Sequence, residues 1–360
     1  MTNRERFLRI MNYQPVDRLP VLDLEPLEVM VLDRWQKEEL PPGTDHIDFL
    51  NMARIVPTGG GRVQPIPKFE ETIVSEEADY YSQITELGGT VRRRRDAPHT
   101  FYGHTEFPIK TRDDWKNYQK LLDPADTAAR LGNILDPDNI KRLNSSNEPV
   151  GMEFFPYLFR FGFYTMGMEG FLMAFYDDED LIHEMFAQAA KVLMANLDQL
   201  LGKIAIDAAY FCEDLAGKNG PLVSPALYDK FWAPHQKPIL KALKEAGVPI
   251  ICMWSAGRYE QLIPTMIEHG FNCTWPIERQ PGMNPLKLRE EFGQDLRLAG
   301  GISLKALIDG PEAIDRNIAE LMPLIKEGGF IPTLDDMVPL ECPFSHYRHM
   351  IESLQAIRFD

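Results

Sequence analysis

From residue 148 onward the chain alternates short apolar runs with polar turns and helical segments. The runs are Val150–Phe155, Asp207–Asp214, Val248–Gly257, Phe271–Glu278, Leu296–Ser303 and Phe330–Asp336. Ser224-Pro225 is an N-cap followed by proline at the first helical position, and Gly247 after Glu245-Ala246 closes that helix. Strands alternating with helices imply parallel pairing. Upstream, Thr2 and Glu5 form a capping box that opens a helix from Asn3 to about Met11, and Arg18–Leu24 reads as a first strand. Six strands here plus one or two upstream suit a (β/α)8 barrel. A doubly wound open sheet is the other arrangement this rhythm allows.

Residues 25–145 break the rhythm. They hold Pro-rich stretches, the Thr58-Gly59-Gly60-Gly61 loop, and alternating segments at Glu70–Glu77 and Tyr80–Thr85 that read as hairpins rather than βα units. The expected architecture is one α/β barrel domain over 1–360, with an irregular, hairpin-containing insertion or cap at 25–145. A length of 360 residues fits one large barrel carrying an insertion. No apolar run reaches the roughly 18 residues needed to cross a bilayer. The charged opening MTNRERFLRIM has no apolar core with a cleavage site. A cytoplasmic protein with no membrane partner is therefore expected.

Lys plus Arg number 38 and Asp plus Glu 54, a net charge of −16. That balance argues against nucleic acid, since phosphate contacts need surplus positive charge. The one basic run, Arg92–Arg95, follows Gly88-Gly89-Thr90-Val91 and reads as a strand after a turn. It is either a solvated strand with arginines on both faces or an anion site for a substrate carboxylate. The four cysteines (Cys212, Cys252, Cys273, Cys342) form no CxxC pair and are expected as free thiols.

Each downstream run finishes in polar residues: Glu213-Asp214, Ser255, Glu278, Ser303 and Asp335-Asp336. Barrel enzymes place their chemistry at C-terminal strand ends. Cys212 and Cys252 lie 40 positions apart, one βα unit, each near the end of its strand. They are either small buried hydrophobes or, with an oxygen or nitrogen ligand, an open zinc site. Glu213 and Asp214 are the catalytic candidates, and strand alternation forbids both from facing inward in regular geometry. Trp254 and Glu278 are the substrate-binding candidates, Trp254 as a wall for a flat ring. The stretch Phe154–Met168 is dense in aromatic and Met side chains, most of them ordinary core. The eight histidines form no HxH or HExxH pattern, and no serine nucleophile elbow occurs.

These residues resemble the uroporphyrinogen decarboxylase superfamily over nearly the full length. The matching segments are RERFLRIMNYQPVDRLP, EDLAGKNGPLVSPALYDKFWAPHQKPI, WPIERQPGM, LAGGISLKAL and GGFIPTLDDMVP. The superfamily contains decarboxylases and corrinoid-dependent methyltransferases, both on a (β/α)8 barrel. True decarboxylases carry an arginine-rich segment after the first strand to hold a polycarboxylate porphyrinogen. Here the equivalent stretch is Asp23-Leu24-Glu25-Pro26-Leu27-Glu28, acidic and without arginine. The zinc ligands of methanogen methylcobamide enzymes fall on Trp254, Ala256 and Asp335, so that site is not preserved.

The chain resembles more closely the methyltransferases that demethylate aryl methyl ethers. Their vanillate-type members hold zinc with an acidic residue and two cysteines with 39 residues between them, the spacing of Cys212 and Cys252. Glu184 falls at the acidic position but lies mid-helix. Asp335 is the easier third metal ligand, with Glu278 behind it. The resemblance implies transfer of a methyl group from a small methylated donor, an aryl methyl ether, to the cobalt of a cobalamin carried by a separate corrinoid protein. Zinc would sit at Cys212, Cys252 and Asp335. A homodimer is compatible with this reading. A decarboxylase-like activity and a non-catalytic binding relative are the alternatives.

Overall fold

The computed structural model describes residues 1–99 and 102–359. Among the described residues the strands, in chain order, are β1 (Val56–Pro57), β2 (Ile73–Glu76), β3 (Tyr80–Ile84), β4 (Thr90–Arg94), β5 (Tyr102–Glu106), β6 (Val150–Phe154), β7 (Ala208–Cys212), β8 (Ala216–Gly217), β9 (Gly220–Pro221), β10 (Ile250–Trp254), β11 (Cys273–Trp275), β12 (Arg297–Ile302) and β13 (Phe330–Leu334). Seven of them form one parallel sheet in the order β1-β6-β7-β10-β11-β12-β13. The strands expected to end at Asp214, Ser255 and Glu278 are thus neighbours with their C-terminal ends on one rim.

The eighth position belongs to Val21-Leu22. Leu22 makes a parallel bridge with Ala53, just before β1, and the Ala53 N–H donates to the Val21 carbonyl at 2.8 Å. On the other side the Thr333 hydroxyl, from β13, donates to the Leu22 carbonyl at 3.2 Å. The first strand read over Arg18–Leu24 is therefore reduced to isolated bridges at Arg18 and Leu22. Pro20 lacks the N–H that a full ladder needs there. The result is a (β/α)8-type barrel closed by an irregular segment.

Helices wrap the barrel, the longest being Glu179–Leu200 and Pro225–Glu245. The second starts where its sequence signals say: the Ser224 hydroxyl accepts from Leu227 N at 3.2 Å and Pro225 follows. Between sheet and helices lies an aromatic layer in which Phe154 stacks on Phe211 at 4.1 Å, while Trp232 packs on Phe175 and Phe186. This layer takes up most of the aromatic stretch after Phe154. The outward face of each strand is thereby fixed, which determines what is left to point inward.

Strands β2–β5 form a separate antiparallel sheet within the N-terminal region. It stands over the C-terminal ends of the barrel strands as a cap. Among the described residues no helix is long and apolar enough to cross a membrane.

Candidate functional site

Between the barrel mouth and the cap sheet lies a cavity of about 660 Å3. Register explains its walls. Glu153, Tyr210, Cys252 and Cys273 are successive partners across β6, β7, β10 and β11. Cys212, Trp254 and Trp275 form the next inward row, two residues closer to the rim. The mouth cavity touches Glu153, Tyr210, Cys212, Trp254 and Trp275, together with Glu25, Phe155, Arg160, Asp214 and Asp336. The Cys212 thiol points at Glu153, with Sγ 3.6 Å from Oε1.

Glu213 and Asp214 part company at a backbone kink. Asp214 sits at φ +63°, the left-handed region that Asp tolerates better than most residues. Its carboxylate turns into the cavity and takes the Arg160 guanidinium at 2.6 Å. Glu213 turns outward instead and is fully buried. Its Oε2 accepts from Phe159 N at 2.7 Å and Arg160 N at 3.4 Å, and its Oε1 from Trp232 Nε1 at 2.7 Å. It caps the helix Leu158–Met166, whose own N-cap, Tyr157, offers no side-chain acceptor. Burial pushes Glu213 up to about 8 against the pull of those donors. Glu213 anchors the helix that carries Arg160, and the mouth carboxylate is Asp214.

Arg160 is buried, with Nη1 donating to the Tyr164 hydroxyl at 3.1 Å. Its guanidinium lies 4.6 Å from the Trp254 ring and 5.0 Å from Phe155, a cation held between two aromatic faces. Trp254 therefore stands at the mouth, but its face is shared with Arg160. Its Nε1 donates to Oε1 of Glu25 at 3.1 Å. Burial above all, then the nearby Asp336 and Asp23, pushes Glu25 up to about 8, with the Trp254 N–H pulling the other way.

Glu278 lies beside this cluster, up at about 7 through burial. It accepts from Gly257 N at 2.8 Å. Gly257 adopts φ +81°, and a Cβ there would come within 2.5 Å of the Ala216 carbonyl oxygen, so only glycine brings that N–H to Glu278.

The proposed metal ligands do not gather. Cys252 lies one row deeper than Cys212, beside Cys273, in an apolar compartment lined also by Ala208, Ile250, Ala299 and Ile331. Asp335 is buried and pinned, accepting from Arg279 N at 2.9 Å and Leu304 N at 3.0 Å, with burial holding it up at about 6. Glu184 is on the outer helical layer, paired with Arg112 at 2.8 Å and bonded to Trp115 Nε1 at 3.1 Å. Among the described residues no three His, Cys, Asp or Glu side chains are arranged to hold a metal ion. Cys212, Cys252 and Asp335 do not fit the zinc that was expected there.

Three residues at the mouth were missed by sequence reasoning: Glu25, Glu153 and Arg160. Glu153 and Arg160 left a signal, each a lone charge inside an apolar run. Glu25 stood out only as part of the acidic segment 23–28.

Comparisons with known proteins agree with this geometry at the level of the fold. The chain is similar to a solved methyltransferase from Methanosarcina mazei, with 16% identity, a TM-score of 0.63 and coverage of 98% of both chains. A B12-independent methionine synthase from Shewanella sp. W3-18-1 matches more loosely, at 10% identity and TM-score 0.40 over 79% of this chain and 72% of that one. No curated protein sequence matches. The family model described as uroporphyrinogen decarboxylase (URO-D) matches residues 159–357, more than half of the 360-residue chain. That span carries Arg160, Cys212, Asp214, Trp254, Glu278 and Asp336 on a parallel barrel, and the chain belongs to the uroporphyrinogen decarboxylase family.

Proposed function

We propose that the chain is a methyltransferase that moves the methyl group of a small methylated donor, an aryl methyl ether, to the cobalt of a cobalamin carried by a separate corrinoid protein. The observation that carries this reading is Glu25, a carboxyl raised to about 8 at the wall of an aromatic cavity. At neutral pH it holds its proton, so it is an acid rather than a base. The similarity of fold to a solved methyltransferase supports the same class of chemistry.

An aryl methyl ether resists cleavage because phenolate leaves poorly from carbon. In the proposed reaction the methyl–oxygen bond breaks and its electron pair goes to the oxygen. The Glu25 proton moves to that oxygen, so that the product leaves as a phenol and Glu25 is left as carboxylate. The reduced cobalt of the partner is the methyl acceptor and supplies the nucleophile. Trp254 fixes Glu25 through its N–H, and Phe155, Trp275 and Tyr210 supply flat walls for the ring. Asp214 and the buried Arg160 fix each other and keep the rim shaped. Zinc has no part in this reading, because the residues expected to bind it do not converge.

The test is to supply the protein with a panel of methoxylated aromatics and cob(I)alamin, free or protein-bound, and to follow the cobalt spectrum. Donor-dependent methylcobalt formation that falls away in Glu25→Gln is expected. No methylation with any donor, or formation of coproporphyrinogen from uroporphyrinogen, would overturn the proposal.

A further inference from the structure

The basic run Arg92–Arg95 is not a uniformly solvated strand. Three of its arginines meet acids of the cap: Arg92 pairs with Glu77 at 2.7 Å, Arg94 with Asp96 at 2.7 Å, and Arg95 with Glu76 at 2.6 Å. Arg93 does not. It alone of the four lines the mouth cavity. Its Nη1 donates to the Pro98 carbonyl at 2.7 Å and its guanidinium lies 5.2 Å from the Tyr102 ring, with no carboxylate in ion-pair range among the described residues.

His104 shares that face of the cap. It sits opposite Val91 in the β4–β5 ladder, on the same side as Arg93, and lines the same cavity. Its ring stacks on Tyr164 at 4.6 Å. Both of its ring nitrogens are buried without a hydrogen-bond partner. Buried polar groups are nearly always paired, and two orphaned nitrogens on one ring ask for a partner that enters the cavity. Burial, then Arg93, holds the imidazole down at about 4, so at neutral pH it is an uncharged donor and acceptor.

The other cations of the cavity wall are spoken for: Arg62 pairs with Glu86 and Arg160 with Asp214. We infer that Arg93 and His104 form a subsite for a single acidic group of the substrate, a carboxylate on an aromatic ring, held by the guanidinium and one imidazole N–H. This rests on the proposed reading that the mouth cavity holds a methylated aromatic donor. It adds the donor's charge and its orientation, with the acid toward the cap and the ether toward Glu25. A planar guanidinium suits a carboxylate because it can donate two parallel N–H bonds. One unpaired cation also sets the number of acids at one, too few for a polycarboxylate.

The experiment is quenching of the intrinsic tryptophan fluorescence by 3-methoxybenzoate and by its neutral isostere 3-methoxybenzamide, without cobalamin. The intact chain is expected to bind the benzoate at least about tenfold tighter, the 1.4 kcal/mol or more of a charge-assisted bond. Arg93→Gln should remove that preference and leave the benzamide affinity unchanged. Arg93→Lys should keep part of it, which separates loss of charge from loss of fold. Equal affinity for the two ligands, no binding of either, or an unchanged preference in Arg93→Gln would overturn the subsite. Charge preference without methyl transfer would sink the proposed reaction and leave the subsite standing.

Discussion

The indole of Trp254, at the end of β10, donates to the carboxyl of Glu25 at 3.1 Å across 229 residues of sequence. This bond joins the acidic segment after Val21-Leu22 to the far wall of the barrel mouth. It fixes one oxygen of Glu25 and leaves the other for a ligand. The carboxyl is otherwise flanked by Asp336 and Asp23, whose charges add to burial in keeping its proton on. A protonated acid pinned by a tryptophan over an aromatic cavity is the arrangement on which the proposed chemistry depends.

Replacing Glu25 by Gln keeps the acceptor for Trp254 and removes the proton. Turnover is expected to fall by about 10²–10⁴-fold, the usual worth of a general acid, with KM little changed. The wild-type rate should decline as pH rises through about 8, where Glu25 loses its proton. The variant should lack that limb. A pH profile with the same limb in both proteins would assign it to another group.

Glu213 is expected to carry stability rather than chemistry, because its buried carboxyl is taken up by the Phe159 N–H and Trp232 Nε1. Glu213→Ala would leave Trp232 Nε1 and the Phe159 N–H buried without acceptors. Each such loss is worth about 1–3 kcal/mol, so urea unfolding should show a loss of about 3 kcal/mol. The same variant should loosen Arg160, which rides on the capped helix. Unchanged stability would mean that the helix does not need this cap.

The sequence made the barrel legible because each strand was a short apolar run closed by polar residues and followed by helix signals such as Ser224-Pro225 and Gly247. It did not make the closing segment legible, since Pro20 sits in an alternating run that looks like an ordinary strand. At the mouth, alternation said that Glu213 and Asp214 face opposite ways. It could not say which faces in, because the answer lies in the φ of +63° at Asp214. Spacing put Cys212 and Cys252 one βα unit apart, yet register pairs Cys212 with Trp254 and sets Cys252 a row deeper. Position along adjacent strands matters as much as spacing. Arg93 was visible only as one of four arginines, and the pairing of its neighbours singles it out.

The deeper row gives a prediction for the thiols. Cys252→Ala should leave donor-dependent methylation and zinc content per chain as they are in the wild type, because Cys252 faces Cys273 and an apolar compartment rather than the mouth. The cost to stability should be only about 1 kcal/mol, as for a small core truncation. Loss of both activity and bound zinc in this variant would restore the thiolate-metal reading.

Stability should fall as pH rises from 6.5 through about 8. Glu25 and Glu213 at about 8 and Glu278 at about 7 all lie above their ordinary value of 4.5. The folded chain therefore keeps protons that the unfolded chain has released, and its stability drops as pH rises toward those values. His104 and His235, both down at about 4 from an ordinary 6.5, act in the opposite sense. The unfolded chain binds their protons first, so their contribution grows with pH up to about 6.5 and is constant beyond it. Asp17 and Asp178, lowered by Arg6 and Arg112, matter only below the ordinary 3.8. Between 6.5 and 8 the buried carboxyls therefore set the slope. A tenfold difference in proton affinity between folded and unfolded chain is worth about 1.4 kcal/mol. A decline of a few kcal/mol is expected across that window, read as a falling Tm by calorimetry. Glu25→Gln should flatten part of that decline. A Tm that holds or rises from pH 6.5 to 8.5 would show that these carboxyls are ionised in the folded protein, and Glu25 could not then be the acid.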